Sequence, residues 1–133
     1  MEKKCRLELN VDNILKLVDE PVNALENMFL NIARELNFDL DMVEDMLHEA
    51  RRRAIILASK TREETLRQVN NLNDVEKARF GKIVFESAYN ILYKLELALM
   101  IESLSAIKRA QDNLDKYDIV EIAYVDDNEE TED

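Results

Sequence analysis

One glycine, one proline, one cysteine and no tryptophan in 133 residues leave this chain few architectures to choose from. A sandwich or barrel places turn residues roughly every 8 to 12 positions, and Gly81 and Pro21 alone cannot supply them. The same scarcity excludes a P-loop or a dinucleotide fingerprint, both of which use several glycines to let backbone N–H groups approach phosphate. With Cys5 alone, no intrachain disulfide can form, so a reducing, cytoplasmic setting is expected. Met1 to Asn10 lack the apolar core of a signal peptide. The most apolar stretch, Ile83 to Ile101, is interrupted by Glu86, Asn90, Lys94 and Glu96, which are costly at membrane depth, and it reads as a core helix.

Histidine is equally scarce. His48 is the single one, and with Asp45 it makes a D-x-x-H pair on one helical turn, half of the ligand set that carboxylate-bridged dimetal bundles repeat on a second helix. No second histidine completes it, and Glu44 offers an ordinary ion-pair neighbour. Cys5 as a nucleophile would need a base, for which only His48 is available; a small buried hydrophobe is the expected role. No cofactor, metal site or catalytic residue is assigned. The competing reading, a metal-binding bundle or small enzyme, would draw on Asp45, His48 and carboxylates such as Glu35, Glu86 or Glu96.

What the chain has in abundance is apolar and charged residues, 47% and 35% of the total, the balance of a helical bundle. The expected class is all-α: an antiparallel bundle of three to four main helices, one of them long, with short extended segments at both ends. The organisation reads as an extended segment over 1–12, a bundle over 13–117, a short strand over 118–125 and an acidic tail over 126–133.

Pro21, preceded by Asp19 and Glu20, suits a helix first turn. Leu25, Met28, Phe29, Ile32, Ala33 and Leu36 then share one face. A short helical turn around Ile14 to Val18 precedes it. Asp41 and Glu44 read as a capping box opening a helix from Met42 to about Val69, with a seam through Val43, Leu47, Ala50, Ala54, Leu57 and Thr61. Asn73 and Glu76 repeat the cap signature. From there to about Tyr117 the pattern is one helix, weakened at Glu102, Ser103 and Ser105, or two shorter ones divided there. Its middle is apolar nearly all round and must be covered all round.

At the ends the period changes to two. Cys5, Leu7, Leu9 and Val11 alternate with polar residues, and Ile119, Val120, Ile122, Tyr124 and Val125 form a second β-prone run. These segments are expected to pair with each other or across a dimer; a helical C-terminus is the rival reading.

The net charge of −11 argues against nonspecific nucleic-acid binding, which depends on Lys and Arg. Asp126, Asp127, Glu129, Glu130, Glu132 and Asp133 carry six of those charges, as a solubilising tail or as a lure for a basic partner. Arg51, Arg52 and Arg53 fan about 100° apart and cannot form one flat patch. Arg53 is expected to pair with Glu49, leaving only Arg52 pointing fully away from the seam. Ile55 and Ile56 also lie away from it, so either another element covers them or they are a contact surface. The leading reading is a non-enzymatic, acidic, homodimeric interaction protein that binds and occludes a protein partner, in the manner of an inhibitor, antitoxin, immunity protein or phage antagonist. Its contact residues would be Arg52, Ile55, Ile56, Ser59 and Glu63. A purely structural oligomer subunit is the third reading.

Overall fold

The computed structural model describes residues 2–126. In chain order the elements are β1 (Lys4–Asn10), α1 (Val11–Val18), α2 (Val22–Glu35), α3 (Leu40–Arg67), α4 (Asp74–Leu114) and β2 (Ile119–Val125). The molecule is a helical bundle, as the composition implies, with a small sheet formed by the two extended terminal segments. The acidic run after Asp126 lies outside the described residues.

Caps set the helix boundaries. Asn10 ends β1 and opens α1, its side chain accepting from the Asn13 N–H at 2.9 Å, so Val11 is the first residue of a helix and does not extend the strand. Pro21 stands at the N-cap of α2. That helix ends where Asn37 adopts a left-handed φ of 62° and the Phe38 N–H reaches back to the Ala33 carbonyl at 3.0 Å. Asp39, two residues before the expected cap, opens α3 by accepting from the Met42 N–H at 2.7 Å. Asn73 and Glu76 form the full reciprocal box at the start of α4, with bonds of 3.0 and 2.9 Å.

Helix α4 is continuous over 41 residues, about 60 Å at 1.5 Å per residue. Ser103 and Ser105 do not break it, because their hydroxyls donate to the carbonyls of Leu99 and Ile101, four residues back. It is the hub on which α1, α2, α3 and β1 all pack. Tyr93, Leu97, Ala98, Ile101, Leu104 and Ala106 are buried among them. The demand for cover is therefore met inside the chain over this half of the helix, but not at Ile91, which stays 59% exposed.

The α3 seam differs from the expected one beyond Ala54. Val43, Leu47, Ala50, Ala54 and Ala58 are buried, whereas Leu57 is 45% exposed and Thr61 faces solvent with its hydroxyl bonded to the Leu57 carbonyl. Small residues line this contact because the two helices approach closely. A Cβ on Gly81 would stand 3.2 Å from Leu66 Cδ1 and 3.4 Å from Arg62 Cδ. Since α2 has only 14 residues against 28 in α3, the far half of the α3–α4 hairpin runs on without a third helix.

The terminal segments form a two-stranded parallel sheet, β1 pairing β2 in unbroken register from Lys4 opposite Ile119 to Asn10 opposite Val125. Cys5, Leu7 and Leu9 point into a core built from Ile14, Ala98 and Ala106. Extended pairing thus replaces the helical alternative for the C-terminal run.

Candidate functional site

Each of the three consecutive arginines takes a separate partner. Arg51 reaches Glu26 of α2 at 3.3 Å, and Arg52 turns along its own helix to Glu49, Nε to Oε2 at 3.0 Å. Arg53 makes a two-pronged bond to Glu96 of α4, both contacts at 3.0 Å, and sits 3.6 Å from Glu49. The expected Arg53–Glu49 pair is present, but the cross-helix carboxylate is the closer partner. Arg51 and Arg53 therefore brace α3 against α2 and α4, while Arg52 stays on its own helix and holds the exposed Glu49 carboxyl below its usual range.

Behind the brace lies an aromatic ladder. Phe85, Tyr89 and Tyr93 sit four residues apart on α4, with ring centroids separated by 6.2 and 5.8 Å and planes 11° and 13° apart. A guanidinium from α3 closes each end, Arg62 at 5.2 Å from the Phe85 centroid and Arg51 at 5.7 Å from that of Tyr93. The Tyr93 hydroxyl donates to Glu26 at 2.7 Å, and burial together with that bond pushes its pKa well above the ordinary tyrosine value.

The five contact residues expected on α3, Arg52, Ile55, Ile56, Ser59 and Glu63, recur at spacings that keep them on one outward face. None of them is buried. Ile55 and Ile56 are 46% and 39% exposed, so neither the N-terminal helix nor the terminal strands cover them, which removes the intramolecular explanation among the described residues.

A second feature adjoins this face. Met42 and Met46 of α3 and Met100 of α4 floor an open groove of about 650 Å³ whose rim carries Asp39, Asp41, Asp45 and Glu49, with Arg53 at one end. On α3, Met42, Met46, Glu49, Arg53, Ile56, Leu57 and Lys60 succeed one another at intervals of three and four, with one adjacent pair, so exposed Ile56 and Leu57 lie on the same side of the helix, beyond the Arg53 end of the groove. The sequence reading missed the groove because Met100 joins it only once α3 and α4 are in register. The local signal was Met42 and Met46, four apart and off the seam.

The proposed metal ligands do not converge. His48 is exposed on α3, Glu35 pairs with Lys108 of α4 and Glu96 is held by Arg53. Among the described residues, no three His, Cys, Asp or Glu side chains come together in a way that could hold an ion. No helix among them is long and apolar enough to cross a membrane.

Sequence reading also undervalued Glu102. It is the one buried charged residue among those described, accepting from the Asn10 backbone N–H at 3.1 Å and from Arg109 Nη2 at 3.2 Å. Arg109 donates as well to the Glu8 carbonyl at 3.2 Å, so this pair fastens the β1–α1 junction onto α4. Comparison with protein-family models, with characterised proteins and with solved structures finds no match for this chain.

Proposed function

We propose that this protein is a non-enzymatic binding protein that engages, and so occludes, a basic amphipathic segment of a protein partner on the outer face of α3. The observation that carries the reading is a methionine-floored groove rimmed by carboxylates, on the same helix as the exposed Ile55 and Ile56. Methionine side chains are flexible and polarisable and adapt to varied apolar partners. The acidic rim fits lysines or arginines flanking the apolar anchors, while the overall charge of −11 steers a basic partner toward encounter. Arg52, Ile55, Ser59 and Glu63 extend the contact on the adjoining side of the same helix.

Calorimetric titration with two amphipathic helical peptides, one built of leucine and lysine and the other of leucine and glutamate, tests this directly. Binding of the lysine peptide, weakened by salt and by Met46→Glu or Ile56→Glu, is the expected result. Equal affinity for both peptides, or indifference to both substitutions, would remove the reading.

A further inference from the structure

The sheet holds an unused surface that goes beyond the α3 face. Laterally paired residues share a face of a sheet, so Val120, Ile122 and Tyr124 face the same way as their partners Cys5, Leu7 and Leu9. The β1 residues are buried on α4, whereas Val120, Ile122 and Tyr124 are 47%, 55% and 62% exposed. Strand β2 overhangs the helix that supports β1. Among the described residues its outer edge carries no proline, no lysine, no bulge in seven one-to-one pairs, and a single charge at Glu121. Two-stranded ribbons are marginal in water, and this one adds little apolar burial through its second strand.

We propose that β2 pairs antiparallel with β2 of a second copy of this chain about a two-fold axis through Ile122, making a four-stranded sheet in the order β1-β2-β2-β1. The strand's own sequence selects this occupant and this register. An antiparallel pair about a two-fold axis normal to the sheet must place residues of the same face opposite each other, so the axis falls on a residue. An axis on Glu121 would set two carboxylates directly opposite and cost stability. An axis on Ala123 would set Val120 opposite Asp126. An axis on Ile122, the centre of Ile119–Val125, overlaps all seven residues. It sets Ile122 against itself, Val120 against Tyr124, Ile119 against Val125 and Glu121 against Ala123. The β-branched and aromatic pairs formed, each twice, are of the kind that stabilise adjacent strands.

The layer beneath also fits. The axis keeps both apolar faces on the same side, with one α4 under each half. The two β1 strands, each resting on its own α4, then stand about 14 Å apart at 4.8 Å per strand, wider than the about 8 to 10 Å of directly packed helices. Val120, Ile122 and Tyr124 of both copies would roof the space between the two helices.

Sedimentation velocity at about 100 μM, enough to populate a dimer of micromolar Kd, tests the pairing. The intact chain should sediment as a dimer. Ile122→Lys, which sets two ammonium groups opposite each other on the axis, should weaken association about 100-fold with helical content unchanged. Ile56→Glu on α3 should leave the dimer intact, which separates this proposal from the binding face above. A register test does not depend on the lysine variant folding. In a Cys5→Ser background, Ile122→Cys should join two chains through a short thiol cross-linker. Val120→Cys alone should not, because its thiols lie four residues apart along the strand, about 13 Å; mixed with Tyr124→Cys it should. A monomeric intact chain, a dimer unaffected by Ile122→Lys, or cross-linking at 120 in preference to 122 would overturn the proposal.

Discussion

Replacing Arg109 with methionine should destabilise the fold more than replacing Glu102 with glutamine, although both break the same ion pair. The Glu102 side chain is 4% exposed and that of Arg109 is 56% exposed, so the two losses are unequal. Arg109→Met leaves a carboxylate enclosed with the Asn10 N–H and no countercharge. Stranding a buried charge costs about 3 to 5 kcal/mol, and the solvent already screening half of Arg109 lowers this to about 2 to 3 kcal/mol. Glu102→Gln keeps an oxygen to accept from Asn10 and leaves a guanidinium that can turn to water, for a cost of about 1 kcal/mol. The double variant should cost no more than Arg109→Met alone, giving a coupling of about 1 to 2 kcal/mol. Urea unfolding followed by circular dichroism measures all three, and in heating scans Arg109→Met should lower Tm by roughly 6 to 10 °C. Equal and additive losses would refute the claim that Glu102 is an enclosed charge at the β1–α1 junction.

Tyr93 gives a pH dependence with a definite sign. Its pKa is raised in the folded state, first by burial and then by its bond to Glu26, so the folded protein holds this proton more tightly than the unfolded chain. The stabilisation is complete below the unfolded tyrosine pKa of about 10 and is lost as pH rises above it. Tyr93→Phe should flatten the alkaline fall in Tm; an unchanged slope would contradict this. Gly81→Ala should be neutral or stabilising by up to about 1 kcal/mol, since alanine favours the helix interior and the atoms it meets, Leu66 Cδ1 and Arg62 Cδ, belong to flexible side chains. A loss above 1 kcal/mol in urea unfolding would show that α3 and α4 cannot yield there. Asn37→Gly should preserve stability, whereas Asn37→Ala should cost about 1 kcal/mol because its φ is 62°; equal urea midpoints for the two would argue against a left-handed cap.

How far the fold could be read from sequence depended on how local its causes are. The Asn73–Glu76 box, Pro21 before α2 and the alternation in β1 are each settled within a few residues, and each reads correctly. The continuity of α4 was open only because serine favours ends and turns; back-bonding to Leu99 and Ile101 resolves it locally. The α3 seam was misread beyond Ala54. Leu57 is the more apolar residue, but the buried stripe steps by four from Ala54 to Ala58, as a straight helix of 3.6 residues per turn drifts from a strict four-three repeat. Glu102 interrupts the apolar pattern of α4 and gives no sign of a partner in its own sequence. Its partner Asn10 is 92 residues away, so no window along the sequence could supply it. The exposure of Ile55 and Ile56 was legible because apolar residues off the seam of a helix are a local signal, whereas the methionine groove needed a residue from α4.

The proposed binding face on α3 is tested most directly by the methionine methyl resonances, of which the chain has only five. Met42, Met46 and Met100 floor the groove, while Met28 packs against the bundle core and serves as an internal reference. Titration with the leucine–lysine peptide should shift the first three, in proportion to bound peptide and reversibly with salt, and leave Met28 in place. A complex that shifts none of the groove methionines, or that shifts Met28 as strongly, would contradict the proposed site.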